Sequence, residues 1–299
     1  MSDHTVLVVG RGLIGASVAD RLRADGHDVA TVSTTPLAHA GHLSVDLDDP
    51  AGRERLRTHV DTLRPARVIL THGPSDVTWI EANEQRAEAV HHGVAKLLAG
   101  SGVPTVLVST DNVFDGSRGG HRPADPISPH NVYGRVKALA EQELLTGPNL
   151  ALRVSLVYGW TGPAHRATYG QRCLQAAAAG EELEAPTDQS FTPVHIDDVS
   201  AVLAALCHVP ELPAGIAHLA GPAELSRFDF ATEAYRLTGT DPALVRPVLR
   251  RDTLWASRPR HSSLACDDFG HLPGLAGWTP MTPADGLRQM LRTGPVVAV

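Results

Sequence analysis

The feature that most limits what this chain can fold into is its first thirty residues. Thr5-Val6-Leu7-Val8-Val9 is an uninterrupted β-branched and aliphatic run, the pattern of a parallel strand buried on both faces. It runs directly into Gly10-Arg11-Gly12-Leu13-Ile14-Gly15 and then into good helix formers as far as about Ala24, closed by Asp25-Gly26. His27-Asp28-Val29-Ala30-Thr31-Val32 reads as the next strand. A glycine pattern is weak alone, but the order strand, Gly-x-Gly-x-x-Gly, helix, strand is specific. The glycines permit a tight turn and close approach of a pyrophosphate, which then rests on the amino end of the helix.

The alternation continues. A short strand is predicted near Leu43-Ser44-Val45, a helix from about Pro50 to Leu63, a strand at Arg67-Val68-Ile69-Leu70 and a helix from Glu81 to Ala99. Strand 104–108 and helix 131–145 follow, and Leu150-Ala151-Leu152-Arg153-Val154 is the last clear strand of the series. Strands and helices joined by short connections predict an α/β fold with a doubly wound parallel sheet. After Gly159 the pattern changes, with breaks at Gly162-Pro163, Ala185-Pro186 and Thr192-Pro193. Helices are expected from Asp197 to Leu206, from Ser226 (a candidate cap) to Leu237, and near Ala284 to Leu291. Residues 1–160 are therefore read as the nucleotide-binding domain, with 191–210 returning to it, and 161–190 with 211–299 as a smaller C-terminal substrate-binding domain.

At 299 residues with a net charge of −7, the chain has ample core material and no bias towards nucleic acid or a membrane surface. Met1-Ser2-Asp3-His4 enters the first strand without a basic leader or a long apolar stretch, so no signal peptide or membrane span is expected. Three dispersed cysteines suit a reducing cytoplasm, and sixteen histidines fall into no ligand spacing, so no metal is expected. A homodimer is carried as the candidate assembly.

Chemistry concentrates in residues 109–137. Strand 104–108 delivers Ser109 and Thr110 at its carboxyl end, and Tyr133 and Lys137 lie at i and i+4 on the following helix, about 6 Å apart at Cβ. A hydroxyl, a phenol and an ammonium form a proton-transfer set, and the ammonium with a nearby cationic nicotinamide is expected to lower the phenol pKa towards neutrality.

These stretches resemble the extended short-chain dehydrogenase/reductase family. The similarity is to the branch containing dTDP-4-dehydrorhamnose reductase and the regulatory β subunit of methionine adenosyltransferase. It is carried by Gly10 to Gly15, Ser109-Thr110-Asp111-Asn112-Val113-Phe114-Asp115-Gly116, Pro129 to Lys137, Leu152 to Gly159, Phe191 to Val199 and Arg258-Pro259-Arg260-His261-Ser262-Ser263-Leu264. The resemblance implies a Rossmann domain with a small domain for a nucleotide sugar, and Thr110, Tyr133 and Lys137 match its catalytic triad. Thr110 would hydrogen-bond the substrate carbonyl, Tyr133 would donate the proton as hydride arrives from the nicotinamide, and Lys137 would hold the nicotinamide ribose. Asp46 and Leu47 match the position beside the adenine, and Thr71, His72 and Gly73 the turn lying against the cofactor.

The second strand ends at Ser33 and Thr34 with no acid to hold a ribose diol, and Arg11 lies in the glycine loop, so NADPH is favoured over NADH. For the diphosphate of the nucleotide-sugar substrate, Arg258 or Arg260 is the candidate clamp, with Gln189 as a further pocket residue. The chain departs from the family at Asn112, at His91 and at Leu156, where rhamnose-type reductases often carry Trp. Asn112 and Leu156 bear on the substrate pocket. Asn112 also stands where the related dehydratases need an acid, so the expected reaction is reduction of a 4-keto group on a dTDP-like deoxysugar. A C4 epimerase or a non-catalytic NADP-binding regulatory subunit remain the alternatives.

Overall fold

The computed structural model describes residues 5–38, 41–162 and 165–294. The opening Met1-Ser2-Asp3-His4 and the Pro163 half of the Gly162-Pro163 break lie outside the described residues. Strands are β1 (Val6–Val9), β2 (Val29–Ser33), β3 (His42–Ser44), β4 (Arg67–Leu70), β5 (Thr105–Thr110), β6 (Leu150–Val154), β7 (Val157–Tyr158), β8 (Leu183–Pro186), β9 (Ser190–Phe191), β10 (Val194–His195), β11 (Gly215–Leu219), β12 (Leu225–Ser226) and β13 (Val245–Val248). Helices are α1 (Leu13–Ala24), α2 (Pro50–Leu63), α3 (Val77–Ala82), α4 (Glu84–Ala99), α5 (Val132–Leu144), α6 (Tyr169–Ala179), α7 (Ile196–His208), α8 (Arg227–Thr238) and α9 (Pro283–Thr293).

Seven parallel strands form the central sheet in the order β11-β6-β5-β4-β1-β2-β3. Alternate residues of each strand enter two separate cores, which is why the runs are continuously apolar. Val6, Val8, Ile69, Val106 and Leu152 pack with Val18 and Leu22 of α1 and with Val199, Val202 and Leu203 of α7. Leu7, Val9, Val68, Leu70 and Leu107 face Leu56 and Val60 of α2, Val94 and Leu98 of α4, and Ala140 and Leu144 of α5. The chain order reverses between β1 and β4, so the loops leaving their carboxyl ends splay apart and open a crevice there. A smaller core gathers Tyr158, Tyr169, Leu174, Phe230, Tyr235, Leu287 and Met290 from α6, α8, α9 and the short strands.

Three sequence expectations change. The helix expected over 81–99 is two helices, because the Asn83 backbone leaves helical geometry and its side chain donates back to Trp79 O at 2.8 Å. The third strand ends at Ser44, one residue earlier than expected, with Val45 turned into the core. The stretch 211–299 is not all outside the sheet. Gly215–Leu219 is its seventh strand, paired with β6, and Phe269, Leu272 and Leu275 join the core under α1 and α7. The half-buried start of this edge strand and its penultimate His218 hide it from an apolar-run reading.

Directly beneath the carboxyl edge lies a buried ion pair. Arg153 Nη2 meets Glu141 Oε2 at 2.7 Å, with the two side chains 1% and 2% exposed. Ser109 Oγ donates to the same carboxylate, and the Arg153 guanidinium lies 5.2 Å over the Phe114 ring. Removing one member leaves the other charge buried and unpaired, so Glu141→Ala should lower stability by about 3–5 kcal/mol in urea unfolding. Glu141→Leu combined with Arg153→Met should recover most of that loss.

Candidate active site

One open cavity of ≈ 810 Å³ runs along the carboxyl edge of the sheet, from the glycine turn after β1, past the ends of β4 and β5, to α6 and α8. At the first end, Gly10 has φ +100°, and a Cβ there would stand 2.7 Å from His72 N. A Cβ at Gly15 would lie 1.9 Å from Gly10 O, whereas one at Gly12 would meet nothing within 4 Å. The turn is thus closed on its sheet side and open on its cavity side. Gly12 caps α1 without a side-chain bond, leaving the first-turn amides of the helix facing the opening. Arg11, Leu13, Ile14, Ser33, Thr34, Thr71, His72 and Gly73 also line this half.

Asp46 and Leu47, expected beside an adenine, do not line the cavity. The Asp46 carboxylate accepts Asp48 N at 3.0 Å in an exposed turn, and Leu47 is 1% exposed among the core residues beneath α2.

At mid-cavity Thr110 ends β5 and caps a single 3₁₀ turn, Asp111–Val113. Asn131 caps α5 by accepting Gly134 N at 2.8 Å, and its amide donates to Asn112 Oδ1 at 2.9 Å and to Ser257 O at 3.1 Å. One asparagine therefore ties the turn after Thr110, the helix carrying Tyr133 and the loop before Arg258. Lys137, one turn beyond Tyr133, donates to Val108 O at 2.6 Å. The Tyr133 ring meets His91 edge-on with centroids 6.0 Å apart, and its hydroxyl shares a hydrogen bond with Thr110. Ser109 lines the cavity, and its hydroxyl donates to Glu141.

The protein's own groups do not by themselves acidify Tyr133. Desolvation, then the Asp111 charge, raise its pKa above the usual phenol value, and the Thr110 bond only partly opposes them. Lys137 is itself desolvated. Its pKa is lowered to about 8, with Glu141 resisting the fall. Thr110 Oγ1 also lies 3.1 Å from Asp111 Oδ1.

At the far end Asn112, Leu156, Gln189 and Arg258 line the cavity. Arg260 does not: its side chain is 57% exposed and turns towards Asp188, 4.0 Å away. The residue that sequence reasoning missed is Arg227. It is 6% exposed, donates through Nε to Gln189 Oε1 at 2.6 Å, and sits within 4.6, 5.2 and 4.8 Å of the Tyr169, Phe191 and Trp255 ring centroids. Desolvation lowers its pKa to about 10, as it does that of Arg258. One signal was available, because Arg227 is the first residue of α8, where a cation opposes the helix dipole. The aromatic surface absent at Leu156 is supplied by Tyr169 and Trp255 instead. Arg11, Lys137, Arg166, Arg172, Arg227 and Arg258 line the cavity, and Asp111 is its one carboxylate among the described residues. Also among the described residues, no group of three metal-ligating side chains occurs, and no helix is long and apolar enough to cross a membrane.

Burial depresses His72 to about 4 and holds His91 well below the usual imidazole value, so both are neutral in the folded protein. An unfolded histidine binds its proton near pH 6.5, so this contribution is intact above that pH and is lost as the pH falls towards 4. The urea midpoint should therefore drop across that window, and His72→Asn should make the drop shallower.

The family described as RmlD substrate binding domain matches residues 4–283. The dTDP-4-dehydrorhamnose reductase of Mycobacterium tuberculosis is 30% identical over 294 residues, covering 94% of this chain and 89% of its own. The dTDP-4-keto-6-deoxy-D-glucose reductase of Streptomyces niveus is 28% identical over 290 residues, covering 94% and 93%. In fold, the chain is similar to the crystal structure of Bacillus anthracis dTDP-4-dehydrorhamnose reductase in complex with NADP. That match has a TM-score of 0.81 at 21% identity and covers 97% of this chain and 100% of the other. With a match that runs from the first strand to the start of the last helix, this chain belongs to the RmlD substrate binding domain family.

Proposed function

We propose that the chain is an oxidoreductase that uses NADPH to reduce the 4-keto group of a dTDP-like nucleotide-activated deoxysugar. The observation that carries this reading is the cavity's charge. In a protein of net charge −7, a channel leading from a dinucleotide-type glycine turn to a buried hydroxyl, phenol and ammonium is lined by six cations and one carboxylate. Two polyanions laid end to end, a dinucleotide and a sugar nucleotide, match that distribution. The names of the Mycobacterium tuberculosis and Streptomyces niveus relatives support a keto sugar as the substrate.

The residues present fit the cofactor. Gly10 and Gly15 keep the turn tight, the open face at Gly12 admits a pyrophosphate, and the first-turn amides of α1 meet it. Ser33 ends β2 and Thr34 follows it without a carboxylate, and Arg11 lines the same cavity, which favours a 2′-phosphate over a bare ribose diol. A C4 epimerase that retains NAD is disfavoured on the same ground.

When bound, the dihydronicotinamide supplies the hydride. Tyr133, its phenol held in the protonated form by burial, gives its proton to the carbonyl oxygen as charge develops there. Lys137, anchored on Val108 O, stands one turn away to hold the nicotinamide ribose. Arg258 and Arg227 receive the substrate diphosphate, and Gln189 orients Arg227. Asn112 and Leu156 border the sugar.

With dTDP-4-keto-6-deoxyglucose or its 3,5-epimer, the protein should oxidise NADPH. Tyr133→Phe should reduce kcat by about 10²- to 10⁴-fold while NADPH still binds, as followed by its fluorescence. Full turnover by that variant would remove the mechanism, and binding without oxidation across a panel of 4-keto sugars would favour a regulatory subunit. Arg11→Ala should weaken NADPH about 10- to 100-fold and leave NADH unchanged, the difference expected for one charge-assisted bond to the 2′-phosphate.

A further inference from the structure

The hydrogen bonds around Thr110 can run in either of two directions. A hydroxyl has one proton and two lone pairs. Thr110 Oγ1 accepts Asn112 N–H at 3.1 Å, lies 3.1 Å from Asn112 Nδ2 and 3.1 Å from Asp111 Oδ1, and shares a bond with the Tyr133 hydroxyl. If Asp111 is ionised, Thr110 spends its proton on the carboxylate and has none to give Tyr133. If Asp111 carries a proton, the bonds run in one direction. Asp111 donates to Thr110, Thr110 donates to Tyr133, and Tyr133 donates into the cavity.

We propose that Asp111 is the proton reserve of the active site, passing its proton through the Thr110 hydroxyl to Tyr133 as Tyr133 protonates the substrate oxygen. This rests on the reductase reading above. Hydride from the cofactor forms the new C–H bond, and the carbonyl oxygen takes the Tyr133 proton. Tyr133 oxygen takes the Thr110 proton, Thr110 takes the Asp111 proton, and Asp111 is left as a carboxylate. That carboxylate has its acceptors filled in advance. Asn112 Nδ2 donates to Oδ1 at 2.8 Å, Ser155 Oγ to Oδ2 at 3.0 Å, and Ser262 adds a further side-chain bond. Asp111 lines the cavity, so solvent entering after product release can restore its proton. Desolvation raises its pKa, and the Ser262, Ser155, Asn112 and Thr110 bonds hold it down, a balance suited to a group that both keeps and releases a proton. The titratable and charged groups that share its surroundings are Tyr133 and Lys137 of α5 and Arg227 of α8. Glu141 is engaged on the other side by Arg153 and Ser109.

Asp111 acts through Thr110 and is a positioning and relay residue, so its test is the shape of a pH profile. In single-turnover hydride transfer, followed by NADPH absorbance with a 4-keto sugar nucleotide, the wild-type rate should fall with rising pH along a one-proton limb. Its midpoint should lie above the ordinary carboxylate range. Ser155→Ala and Ser262→Ala each remove a donor that favours the charged form, so each should move the midpoint upward, by about one pH unit. Asp111→Asn should slow transfer by about 10²-fold and abolish the limb. A limb that survives unchanged in Asp111→Asn, or a midpoint that both serine variants leave in place, overturns the relay. Uniform slowing with an unaltered profile would mean that Asp111 only braces the turn. Failure of the wild type to oxidise NADPH with any 4-keto sugar would instead overturn the reductase reading, which keeps the two failures distinct.

Discussion

A single carboxylate, Glu141, holds the charge balance on which the site is built. It lies on α5, 2% exposed, one turn beyond Lys137 and bonded to Arg153 of β6 and Ser109 of β5. Two buried cations thus depend on one buried anion. Without it, Lys137 would lose the interaction that opposes its desolvation, and Arg153 would be stranded between Phe114 and His218. The same contact clamps α5 to the end of β5 and so fixes where Tyr133 stands relative to Thr110. Charge balance beneath the sheet edge and geometry above it are one constraint.

Above that edge the balance is deliberately one-sided. Cations from the glycine turn, α5, α6, α8 and the loop at Arg258 converge on a cavity whose one lining carboxylate, among the described residues, is Asp111. Arg227 carries this furthest, its guanidinium enclosed by three aromatic rings and fixed by Gln189 with no carboxylate partner among the described residues. An enclosed cation of that kind is stabilised by the quadrupoles of the rings around it.

Much of this was legible along the chain because it depends on local pattern. Residues 5–32 specify a strand, a turn and a helix through β-branching, glycine spacing and helix formers, each acting within a few residues. Tyr133 and Lys137 share a face because of helical period alone. What failed to read correctly depends on contacts between distant residues. Asp46 and Leu47 were placed by analogy of position, but a turn bond to Asp48 and burial beneath α2 take them away from the cavity. Arg258 and Arg260 look equivalent two residues apart, yet only Arg258 lines the cavity, because Arg260 faces Asp188. β11 was invisible because an edge strand needs only one covered face, and its neighbour β6 lies more than sixty residues earlier in the chain.

The sequence by itself determined the parallel sheet, the glycine turn and the identity of the hydroxyl, phenol and ammonium, since each follows from side-chain chemistry at short spacing. Only the tertiary structure decided their electrostatic state. Burial raises the Tyr133 phenol where proximity to a lysine had suggested the reverse, and Thr110 Oγ1 comes within 3.1 Å of Asp111 Oδ1. Arg227 is carried from an ordinary helix start into an aromatic box at the cavity. The physical reason is that desolvation and pairing are properties of the space around a group. That space is assembled from β5, α5, α8 and the 255–262 loop, which meet only after the chain has folded.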